Sequence, residues 1–425
     1  MKLPIEFTEK YKEILGENFP QFLESFDKAA ISAFRVNPSK PTIISAEKLP
    51  ESDFGYYGKI SGKSKEFLSG ELYSQEPAAQ MVGEVAKVSL ASSKQAKKHV
   101  LDLCAAPGGK TSHLLSYLND EDILVSNEIS AKRSKILVEN LERWGSRNLV
   151  VLNESPEKLA NTFKNYFDLI VIDAPCSGEG MFRKDPEAIQ YWSQSYVEEC
   201  ASRQKEILSE AMKMLTAEGS IVYSTCTWSP EEDEEIVKWL LENYPDLELE
   251  YEKKFWPFEF SGEGQFVARF RNKATAKATK IKTAKSNLTA EQSKLWKDFQ
   301  AKNLNVQFDG LLQVFGDNLF LVPKGLPDLS KLKIARNGLH LGIYKKNRFE
   351  PSYAFGMALS KSEAKFSVEL TEEELLEYAK GNPISKNKDF PNAWTHLLID
   401  GNGFGYAKMV DGTLKNNYPK GLRIR

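Results

Sequence analysis

Two cysteines at the ends of predicted strands are the residues of this chain best suited to covalent chemistry. Cys176 stands in D-A-P-C, just after the apolar run at residues 167–174, and Cys226 stands in S-T-C, where a second apolar run ends. Asp173 precedes Cys176 by three residues. A thiol is a nucleophile once it is ionised, and a carboxyl group beside it exchanges protons. One such cysteine would be explained as a small buried apolar residue, but two at strand ends beside an acid favour catalysis.

A glycine-rich turn after the first predicted strand indicates a cofactor site. Residues 100–103 form a short apolar run, and the turn C-A-A-P-G-G-K follows at residues 104–110. In a doubly wound α/β sheet, nucleotide-like ligands lie at this first strand-to-helix turn, and Gly108 and Gly109 would let the backbone approach the ligand closely. The turn lacks the G-x-G-x-x-G pattern, which disfavours a pyrophosphate cofactor such as NAD.

An acid at the end of the second predicted strand narrows the class of cofactor. Glu128 follows the glycine turn by about twenty residues, and a carboxylate at this point accepts hydrogen bonds from ribose hydroxyls. The alternative is that Glu128 only stabilises the N-terminus of the next helix. Together with the glycine turn, the acid favours S-adenosylmethionine, which has a ribose and an adenine but no phosphate.

The two thiols and the acid match the requirements for methylating carbon 5 of a cytosine. That carbon becomes nucleophilic only after a thiolate has added to carbon 6, and a base must later remove the carbon-5 proton so that the thiol leaves. An acid that contacts N3 of the ring completes the set. The chemistry does not say which cysteine attacks. Methylation of an amino nitrogen typically uses an Asn/Asp-Pro-Pro-aromatic turn, and here a cysteine stands where that aromatic residue would come.

The order of the predicted elements places these groups at one edge of a parallel sheet. Between residues 99 and 226, apolar runs alternate with helical segments, which is typical of an α/β fold with helices on both faces of the sheet. The predicted strands cover residues 99–104, 123–128, 149–153, 167–174 and 220–226, and closing antiparallel strands are predicted within residues 255–270. Because the carboxyl ends of parallel strands face the ligand crevice, we expect the glycine turn, Asp173 and both cysteines to meet there.

The segment after Cys226 predicts a helix start that would help this thiol to ionise. Ser229 and Glu232 have the spacing of a capping box, and Pro230 would take the first helical position. A thiol just ahead of a helix N-terminus ionises more readily. The acidic residues at 231–235 oppose a thiolate, so the two effects compete.

The regions on either side of the α/β core offer candidate RNA contacts. The motif R-V-N-P-S-K supplies Arg35, Asn37 and Lys40 as groups that would hold phosphates, although the spacing alone favours a solvated turn. Residues 271–287 carry lysines and no acid, which indicates a flexible basic linker that is either a tether or a phosphate contact. The last segment predicts a small β domain with a basic later half, at Lys408, Lys415, Lys420, Arg423 and Arg425.

Composition limits the class of protein. The chain has 425 residues, a formal net charge of −2 and four cysteines, so any RNA-binding charge must be concentrated locally. The cysteines, at positions 104, 176, 200 and 226, form no C-x-x-C pair, which argues against a disulfide framework or a zinc site and favours a reduced compartment. The sequence has no apolar stretch of transmembrane length, and its first residues lack the apolar core of a signal peptide, so we expect a cytoplasmic protein.

These motifs together resemble the RsmB/RsmF-type RNA cytosine-5 methyltransferases, and the chain is most similar to the RsmF-type enzymes of 16S rRNA. The matching stretches are C-A-A-P-G-G-K-T (104–111), N-E (127–128), D-A-P-C-S-G-E-G-M-F-R-K-D-P (173–186), S-T-C-T-W-S-P-E-E-D-E (224–234) and R-V-N-P-S-K (35–40). The stretches W-P-F-E-F-S-G-E-G-Q-F-V-A (256–268) and N-N-Y-P-K-G-L-R (416–423) resemble the RsmF branch.

The resemblance implies a fold and a domain order. It implies a Rossmann-like, S-adenosylmethionine-dependent methyltransferase core at residues 96–271, which follows an α/β RNA-binding domain at residues 1–95. A basic linker at residues 272–290, an intermediate domain at residues 291–370 and a PUA-like RNA-binding β domain at residues 371–425 complete the expected chain.

The resemblance also implies the roles of the site residues. Cys226 would be the nucleophile, Cys176 would assist product release, and Asp173 would contact both the cofactor region and the target base. The family has an Asp near the adenine where this sequence has Ser155, with Glu154 beside it, so backbone groups would replace that contact. The expected cofactor-binding residues are Cys104, Ala105, Ala106, Pro107, Gly108, Gly109, Lys110, Glu128, Ser155 and Asp173.

Two other functions remain open. One is a methyltransferase with the same residues that acts on tRNA or another RNA, and the other is a non-catalytic, rRNA-binding assembly factor. The intact thiols and glycine turn argue against the second, and the unpaired cysteine spacing argues against a redox protein. The expected partner is rRNA, naked or in the small ribosomal subunit, with neither a metal nor a membrane. The sequence does not indicate the target cytosine or the oligomeric state.

Overall fold

The computed structural model describes residues 1–275 and 282–424, and a mixed α/β region comes first along the chain. Its elements are α1 (Ile5–Leu15), α2 (Phe19–Ser25), β1 (Ala33–Val36), β2 (Gly55–Tyr57), α3 (Lys65–Leu68), β3 (Leu72–Ser74) and α4 (Pro77–Ser92). The three strands form an antiparallel sheet in the order β2-β1-β3. Helix α4 begins at Pro77, where a proline at the first helical position costs no hydrogen bond.

The next part of the chain alternates strands and helices, as the sequence predicts. Its elements are β4 (His99–Asp102), α5 (Gly109–Leu115), β5 (Ile123–Asn127), α6 (Ala131–Trp144), β6 (Leu149–Leu152), α7 (Pro156–Thr162), β7 (Phe167–Asp173), α8 (Gln194–Met214), β8 (Leu215–Thr225), α9 (Glu234–Asn243), β9 (Leu247–Phe255) and β10 (Gln265–Asn272). The apolar residues of these strands are buried on both faces of the sheet, in two separate clusters. This is the doubly covered α/β core that the near-continuous apolar runs predict.

The region after residue 282 forms two further sheets. Its elements are α10 (Ala290–Asn303), β11 (Leu311–Phe315), β12 (Asn318–Val322), β13 (Ile334–Arg336), β14 (Leu339–Lys345), β15 (Arg348–Pro351), α11 (Tyr353–Ala358), β16 (Ser367–Glu369), α12 (Glu372–Lys380), β17 (Ile384–Ser385), β18 (Trp394–Ile399), β19 (Asn402–Val410) and β20 (Thr413–Lys415). A four-stranded sheet has the order β11-β12-β14-β15, and a five-stranded sheet has the order β16-β18-β19-β20-β17. The sequence predicts that the β domain begins at residue 371, but the second sheet begins earlier, at Ser367.

The central sheet has the order β13-β6-β5-β4-β7-β8-β10-β9. Strands β4 to β8 run parallel, and β10, β9 and β13 are antiparallel to their neighbours. Strand β4 lies in the middle, and the strand order reverses on its two sides. Ligands of such sheets bind at the carboxyl ends of the strands at this reversal, so the fold directs attention to the ends of β4, β5 and β7.

Three elements differ from the sequence prediction. Strand β8 begins at Leu215 instead of residue 220, because Leu215 is buried and pairs with Phe167 of β7. Strand β9 ends at Phe255, where the closing strands were predicted to begin, and its alternating exposed charges are those of an edge strand, which a pattern of apolar runs does not reveal. Helix α7 was not predicted, although Pro156 stands at its first turn.

The basic linker that the sequence predicts is only partly described. Its residues 276–281 lie outside the described residues, as does Arg425 of the basic tail. Its last part contacts the C-terminal region: the amide N of Ala284 donates to the carbonyl of Leu326 at 2.9 Å, and Asn287 forms hydrogen bonds of 3.0 and 2.7 Å with Val314. Residues 284–287 are therefore held in place by the C-terminal region and do not form a free tether.

The described ranges contain neither a membrane-spanning helix nor a metal-binding cluster. None of the helices within residues 1–275 and 282–424 combines the length and the apolar character that crossing a bilayer requires. The same ranges contain no cluster of three or more His, Cys, Asp or Glu side chains arranged to hold a metal ion.

Candidate active site

Two adjacent parallel strands bring the predicted cysteines together. Strand β7 ends at Asp173, which pairs in register with Ser224 of β8, so Cys176 and Cys226 leave the sheet side by side. Their Sγ atoms are 3.1 Å apart and share a hydrogen bond, and the backbone N–H of Cys226 donates to the Cys176 sulfur at 3.3 Å. The hydrogen bond with Cys226, together with burial, raises the pKa of Cys176 well above its usual range. Cys176 is therefore a neutral thiol beside the Cys226 sulfur.

The segment after Cys226 is not the helix start that the sequence predicts. Helix α9 begins at Glu234, several residues later than the predicted cap at Ser229. The Ser229 hydroxyl donates to Glu179 at 2.8 Å, and Glu232 accepts the backbone N–H of Ser177 at 3.0 Å. Both side chains of the predicted capping box thus bind the Cys176 loop instead of each other's backbone, and within the described residues the first helix after Cys226 begins only at Glu234.

Asp173 is held by three side chains at the edge of the cavity. The Nζ atom of Lys110 lies 2.6 Å from its Oδ2 atom, and the Ser224 hydroxyl and the Gln265 amide donate to its Oδ1 atom at 2.9 and 3.3 Å. Burial lowers the pKa of Lys110, but the attraction of the Asp173 carboxylate outweighs it and the net pKa is raised. Lys110 is therefore an ammonium, and Asp173 has a fixed orientation.

A cavity of about 890 Å³ lies beside these groups, at the carboxyl ends of β4, β5, β6 and β7. Of the residues predicted to bind a cofactor, five line its wall: Cys104, Ala106, Glu128, Ser155 and Asp173. Cys176 and Cys226 line the same cavity. Burial raises the pKa of Cys104, so this thiol is a neutral part of the wall. The cavity thus places the cysteine pair beside five of the residues predicted to bind the cofactor.

The other predicted cofactor residues, Ala105, Pro107, Gly108, Gly109 and Lys110, are not part of this wall. Gly108 has φ +113°, and a Cβ atom there would lie 3.2 Å from the side chain of Leu137 on α6. A Cβ atom on Gly109 would lie 3.2 Å from Gln75 in the N-terminal region. Both glycines therefore pack closely against neighbouring protein elements, and their role in cofactor binding stays a prediction.

Glu128 presents a buried carboxylate to the cavity. Its side chain is 2% exposed, its Oε1 atom accepts the backbone N–H of Ser130 at 2.8 Å, and its Oε2 atom lies 3.3 Å from Arg133. The Arg133 guanidinium also donates to the carbonyl of Ala106 at 2.6 Å, so it bridges the glycine turn and the acid. A carboxylate at the end of the second strand accepts hydrogen bonds from ribose hydroxyls, so Glu128 fits the ribose of S-adenosylmethionine.

Ser155 occupies the wall where the resemblance places an adenine contact. The neighbouring Glu154 points elsewhere: its carboxylate accepts the backbone N–H of Lys333 at 2.9 Å and pairs with Lys158 at 3.2 Å. Burial opposes ionisation of Glu154, but the hydrogen bonds from Lys333 and Lys158 outweigh it and lower its pKa. Glu154 therefore anchors strand β13 and does not replace the missing Asp.

The N-terminal motif does not offer its polar groups to a phosphate. Arg35, Asn37 and Lys40 are all buried. Arg35 donates to the Ser112 hydroxyl at 2.6 Å and to the Gly109 carbonyl at 2.8 Å, and Asn37 and Lys40 donate to backbone carbonyls. The motif is therefore neither a phosphate site nor a solvated turn, because its buried side chains join the N-terminal sheet to the glycine turn.

Several residues around the cysteines were not predicted to take part in the site, and Glu232 was predicted only as half of a helix cap. Ser224 and Gln265 bind Asp173, and two buried acids, Glu179 and Glu232, connect the two cysteine loops. Gln204 on α8 donates to both Glu232 and the carbonyl of Pro175. Their partners are distant in sequence, so spacing carries no signal for them. The position of Glu179 inside the D-A-P-C-S-G-E-G stretch was the one available hint.

Comparisons with protein families match four consecutive parts of the chain. Residues 89–271 match the family described as 16S rRNA methyltransferase RsmB/F, and residues 3–77 match the N-terminal domain of 16S rRNA methyltransferase RsmF. Residues 298–359 match the first C-terminal domain of RsmF rRNA methyltransferase, and residues 365–424 match the methyltransferase RsmF PUA domain. The matches follow the order that the resemblance implies.

Curated relatives match along nearly the full chain. Ribosomal RNA small subunit methyltransferase F of Erwinia tasmaniensis is 30% identical over 467 residues, which cover 99% of this chain and 96% of the relative. The protein of the same name from Vibrio campbellii is 29% identical over 470 residues, covering 99% and 97%. That from Cronobacter sakazakii is 30% identical over 387 residues, covering 85% and 80%.

Solved structures share the fold over nearly two thirds of the chain. A methyltransferase homolog protein from Pyrococcus horikoshii is 25% identical with a TM-score of 0.54, covering 63% of this chain and 94% of that one. The structure of NSun6 from Pyrococcus horikoshii with SFG is 20% identical with a TM-score of 0.57, covering 64% and 99%, and it supports the fold alone. The Rossmann-like core and the predicted use of S-adenosylmethionine are confirmed. The chain belongs to the RsmF branch of the RsmB/F family of S-adenosylmethionine-dependent rRNA methyltransferases.

Proposed function

We propose that this protein methylates carbon 5 of a cytosine in 16S rRNA, with Cys226 as the nucleophile and Cys176 as the group that assists release. The observation that carries the proposal is the contact of 3.1 Å between the two sulfur atoms on the wall of the cavity that also holds Glu128. Nucleophilic attack and proton removal act on adjacent carbons of one ring, so the two groups must lie this close to each other.

Cys176 favours attack by Cys226 before the adduct forms. Its raised pKa keeps the Cys176 sulfur protonated, and this thiol donates a hydrogen bond to the Cys226 sulfur 3.1 Å away. The Cys226 sulfur then adds to carbon 6 of the cytosine, the displaced ring electron pair moves to N3, and the proton of the Cys226 thiol passes to N3 by way of Asp173. Asp173, oriented by Lys110, Ser224 and Gln265, contacts the ring nitrogen N3. S-adenosylmethionine supplies an electrophilic methyl group for carbon 5.

Formation of the adduct changes the task of Cys176. The hydrogen bond with Cys226 is the largest cause of its raised pKa, and the bond of Cys226 to carbon 6 removes that partner as a thiol. Cys176 then releases its thiol proton to solvent more easily, and the resulting thiolate takes the proton from carbon 5 of the methylated ring. The electron pair of that C–H bond forms the C5–C6 double bond, and the Cys226 thiolate leaves.

The substrate class follows from the family, and the finer assignment is part of the proposal. The relatives are named for the small ribosomal subunit RNA, and we assign the same RNA to this chain, naked or in the small subunit. The N-terminal region at residues 1–95 and the PUA-like region at residues 371–425 would hold the RNA on either side of the core. Lys408 and Lys415 are exposed and directly opposite each other on β19 and β20, which suits a polyanion. We place this reaction in the cytoplasm, where rRNA and reduced thiols occur together.

The deciding experiment is bisulfite sequencing of 16S rRNA from cells with the gene, without it, and with single cysteine variants. One cytosine position should lose its methyl group in the deletion and in Cys226→Ala. Cys176→Ala should accumulate a slow-migrating RNA–protein adduct on a denaturing gel, because attack proceeds and release does not. Cys200→Ala, a cysteine outside the cavity wall, serves as the matched control and should retain methylation.

Other outcomes identify the competing functions. Loss of methylation in tRNA but not in 16S rRNA would assign the same chemistry to another RNA. Full rRNA methylation without the gene, combined with a growth or assembly defect, would favour a non-catalytic assembly factor. Methylation that survives Cys226→Ala would contradict the assignment of the nucleophile.

A further inference from the structure

We propose that Glu179 and Glu232 are positioning residues that set the distance between Cys176 and Cys226. Each acid belongs to the loop that carries one cysteine, and each is bound by the loop that carries the other. The two loops leave different strands and are held against each other by this exchange of side chains. The proposal rests on the proposed function only where it concerns catalysis, because the distance itself can be measured without RNA.

Glu179 reaches from the Cys176 loop to the segment that follows Cys226. It stands three residues after Cys176 and is fully buried. Its carboxylate accepts hydrogen bonds from all three residues that follow Cys226, namely from the Thr227 hydroxyl at 2.7 Å, the Trp228 backbone N–H at 3.3 Å and the Ser229 hydroxyl at 2.8 Å. One side chain therefore fixes the backbone path that leads away from the nucleophile.

Two further donors connect Glu179 to other elements. The hydroxyl of Tyr11 on α1 donates to its Oε2 atom, and the indole N–H of Trp192 donates to its Oε1 atom at 2.8 Å. Burial, followed by the nearby Glu179 charge, raises the pKa of Tyr11, which keeps this hydroxyl a donor. The N-terminal helix thus takes part in the same network as the cysteine loops.

Glu232 makes the reciprocal contact from the Cys226 loop. Its carboxylate accepts the backbone N–H of Ser177 at 3.0 Å and the side-chain amide of Gln204 at 2.8 Å. Gln204 also donates to the carbonyl of Pro175 at 3.1 Å. The backbone is therefore held on both sides of Cys176, at the residue before it and at the residue after it. The Ser177 and Thr227 hydroxyls, 2.9 Å apart, join the loops a third time.

Energetics favour a positioning role over simple stabilisation. A buried carboxylate costs several kcal/mol of desolvation unless its acceptor sites are filled, and an apolar replacement of such a network is often neutral or stabilising. Two buried acids beside the cysteine pair therefore add less net stability than apolar contacts between the two loops would. Directed hydrogen bonds fix backbone geometry more tightly than apolar contacts, and a misplacement of about 1 Å is enough to slow such a reaction about 100-fold.

The test measures the sulfur–sulfur distance by oxidative cross-linking of the free protein. Diamide takes two electrons and two protons from a pair of thiols that are in contact, so the rate of Cys176–Cys226 disulfide formation reports their proximity. Glu179→Gln and Glu232→Gln keep the side-chain volume but replace one of the two carboxylate oxygens with an NH2 group, which faces donors and accepts no hydrogen bond from them. We expect cross-linking at least about tenfold slower in each variant, together with a lower kcat and an unchanged KM for S-adenosylmethionine.

Glu71→Gln is the matched control, because Glu71 is equally buried but binds Ser69 in the N-terminal region. It should cross-link at the wild-type rate. Tyr11→Phe removes one donor to Glu179 and gives a milder variant if Glu179→Gln does not fold.

Two results would overturn the proposal: a wild-type protein that does not cross-link, or glutamate variants that cross-link at the wild-type rate. A third result would separate the two proposals. If the variants slow cross-linking but the wild-type protein does not methylate rRNA, the positioning role is supported and the proposed function is rejected.

Discussion

The Nζ atom of Lys110 lies 2.6 Å from the Oδ2 atom of Asp173, and this contact joins the glycine-rich turn to the strand that delivers Cys176. Lys110 is the last residue of C-A-A-P-G-G-K and Asp173 is the first of D-A-P-C, so two separate motifs meet in one ion pair. The Lys110 side chain is 17% exposed and that of Asp173 is 26% exposed. The pair is thus shielded on one side and open to the cavity on the other.

Replacement of Lys110 tests what this ion pair does. Lys110→Met removes the charge but keeps the length of the side chain, so Asp173 loses its orienting partner while the cofactor wall is unchanged. We expect kcat to fall by about 100-fold, with the dissociation constant of S-adenosylmethionine changed less than threefold. Single-turnover methylation and calorimetric titration measure the two quantities. Lys110→Arg should retain more activity than Lys110→Met, and the opposite order would contradict an electrostatic role.

Glu128 should contribute to binding of the cofactor and not to the chemical step. Its carboxylate is buried and bonded by Ser130 and Arg133, so Glu128→Ala removes an oriented acceptor from the cavity. Loss of charge-assisted hydrogen bonds to the ribose should weaken S-adenosylmethionine binding by about 10- to 100-fold. At saturating cofactor, kcat should stay near the wild-type value. Arg133→Met, which keeps the acid but removes its partner, is the comparison, and equal effects of both variants would show that the acid acts only through Arg133.

Stability should depend on pH through Glu232. Burial raises its pKa to about 7 from a reference value of 4.5, so between these values the folded protein keeps a proton that the unfolded chain releases. The contribution of this proton to the free energy of unfolding is fully present below pH 4.5. It falls as the pH rises toward 7 and does not change further above that value. The difference amounts to about 3 kcal/mol.

Urea unfolding of the wild type and of Glu232→Gln at pH 5 and pH 8 checks this dependence. The variant has no such proton to lose, so its stability relative to the wild type should improve at pH 8 by an amount of that order. A repeat at high salt separates the effect from surface charges, which salt screens. An identical difference between the two proteins at both pH values would reject the assignment.

Arg35 should act on stability and not on RNA affinity. Its buried guanidinium bonds Gln75, the Gly109 carbonyl and Ser112, so Arg35→Met removes three buried hydrogen bonds. We expect the free energy of unfolding to fall by about 3 kcal/mol, and the salt dependence of RNA binding to stay unchanged. Lys408→Met is the matched variant at an exposed cation, and it should reduce the salt slope without a change in stability. If Arg35→Met instead weakened the dependence of RNA affinity on salt concentration, Arg35 would be a phosphate contact after all.

The sequence was sufficient to predict the features that depend on local residue patterns and on the order of the strands. Apolar runs separated by helices predict the parallel sheet, and parallel strands place Asp173, Cys176 and Cys226 at one edge because their carboxyl ends coincide. The cofactor class followed from the glycine turn and Glu128 in the same way. These inferences need only the direction of each strand, which the chain order determines.

The remaining features depend on contacts between distant residues. Ser229 and Glu232 have the spacing of a helix cap, but Glu179 and Ser177 compete for the same side chains from about fifty residues away, and the long-range partners win. Lys40 looks like a surface lysine, yet it donates to the carbonyl of Gly403 from the C-terminal sheet. Local spacing cannot reveal partners that only the folded chain supplies.

Strand β13 has a consequence for how the protein can be divided. It comes from the C-terminal region but pairs with β6, so Ile334 and Arg336 cover the edge of the methyltransferase sheet beside Ser155. A fragment that stops at residue 272 would leave the backbone of β6 open to pairing with another chain, and an open edge of this kind invites aggregation. Biochemists who want the catalytic unit alone will need residues 333–336 as well, supplied in cis or as a separate peptide.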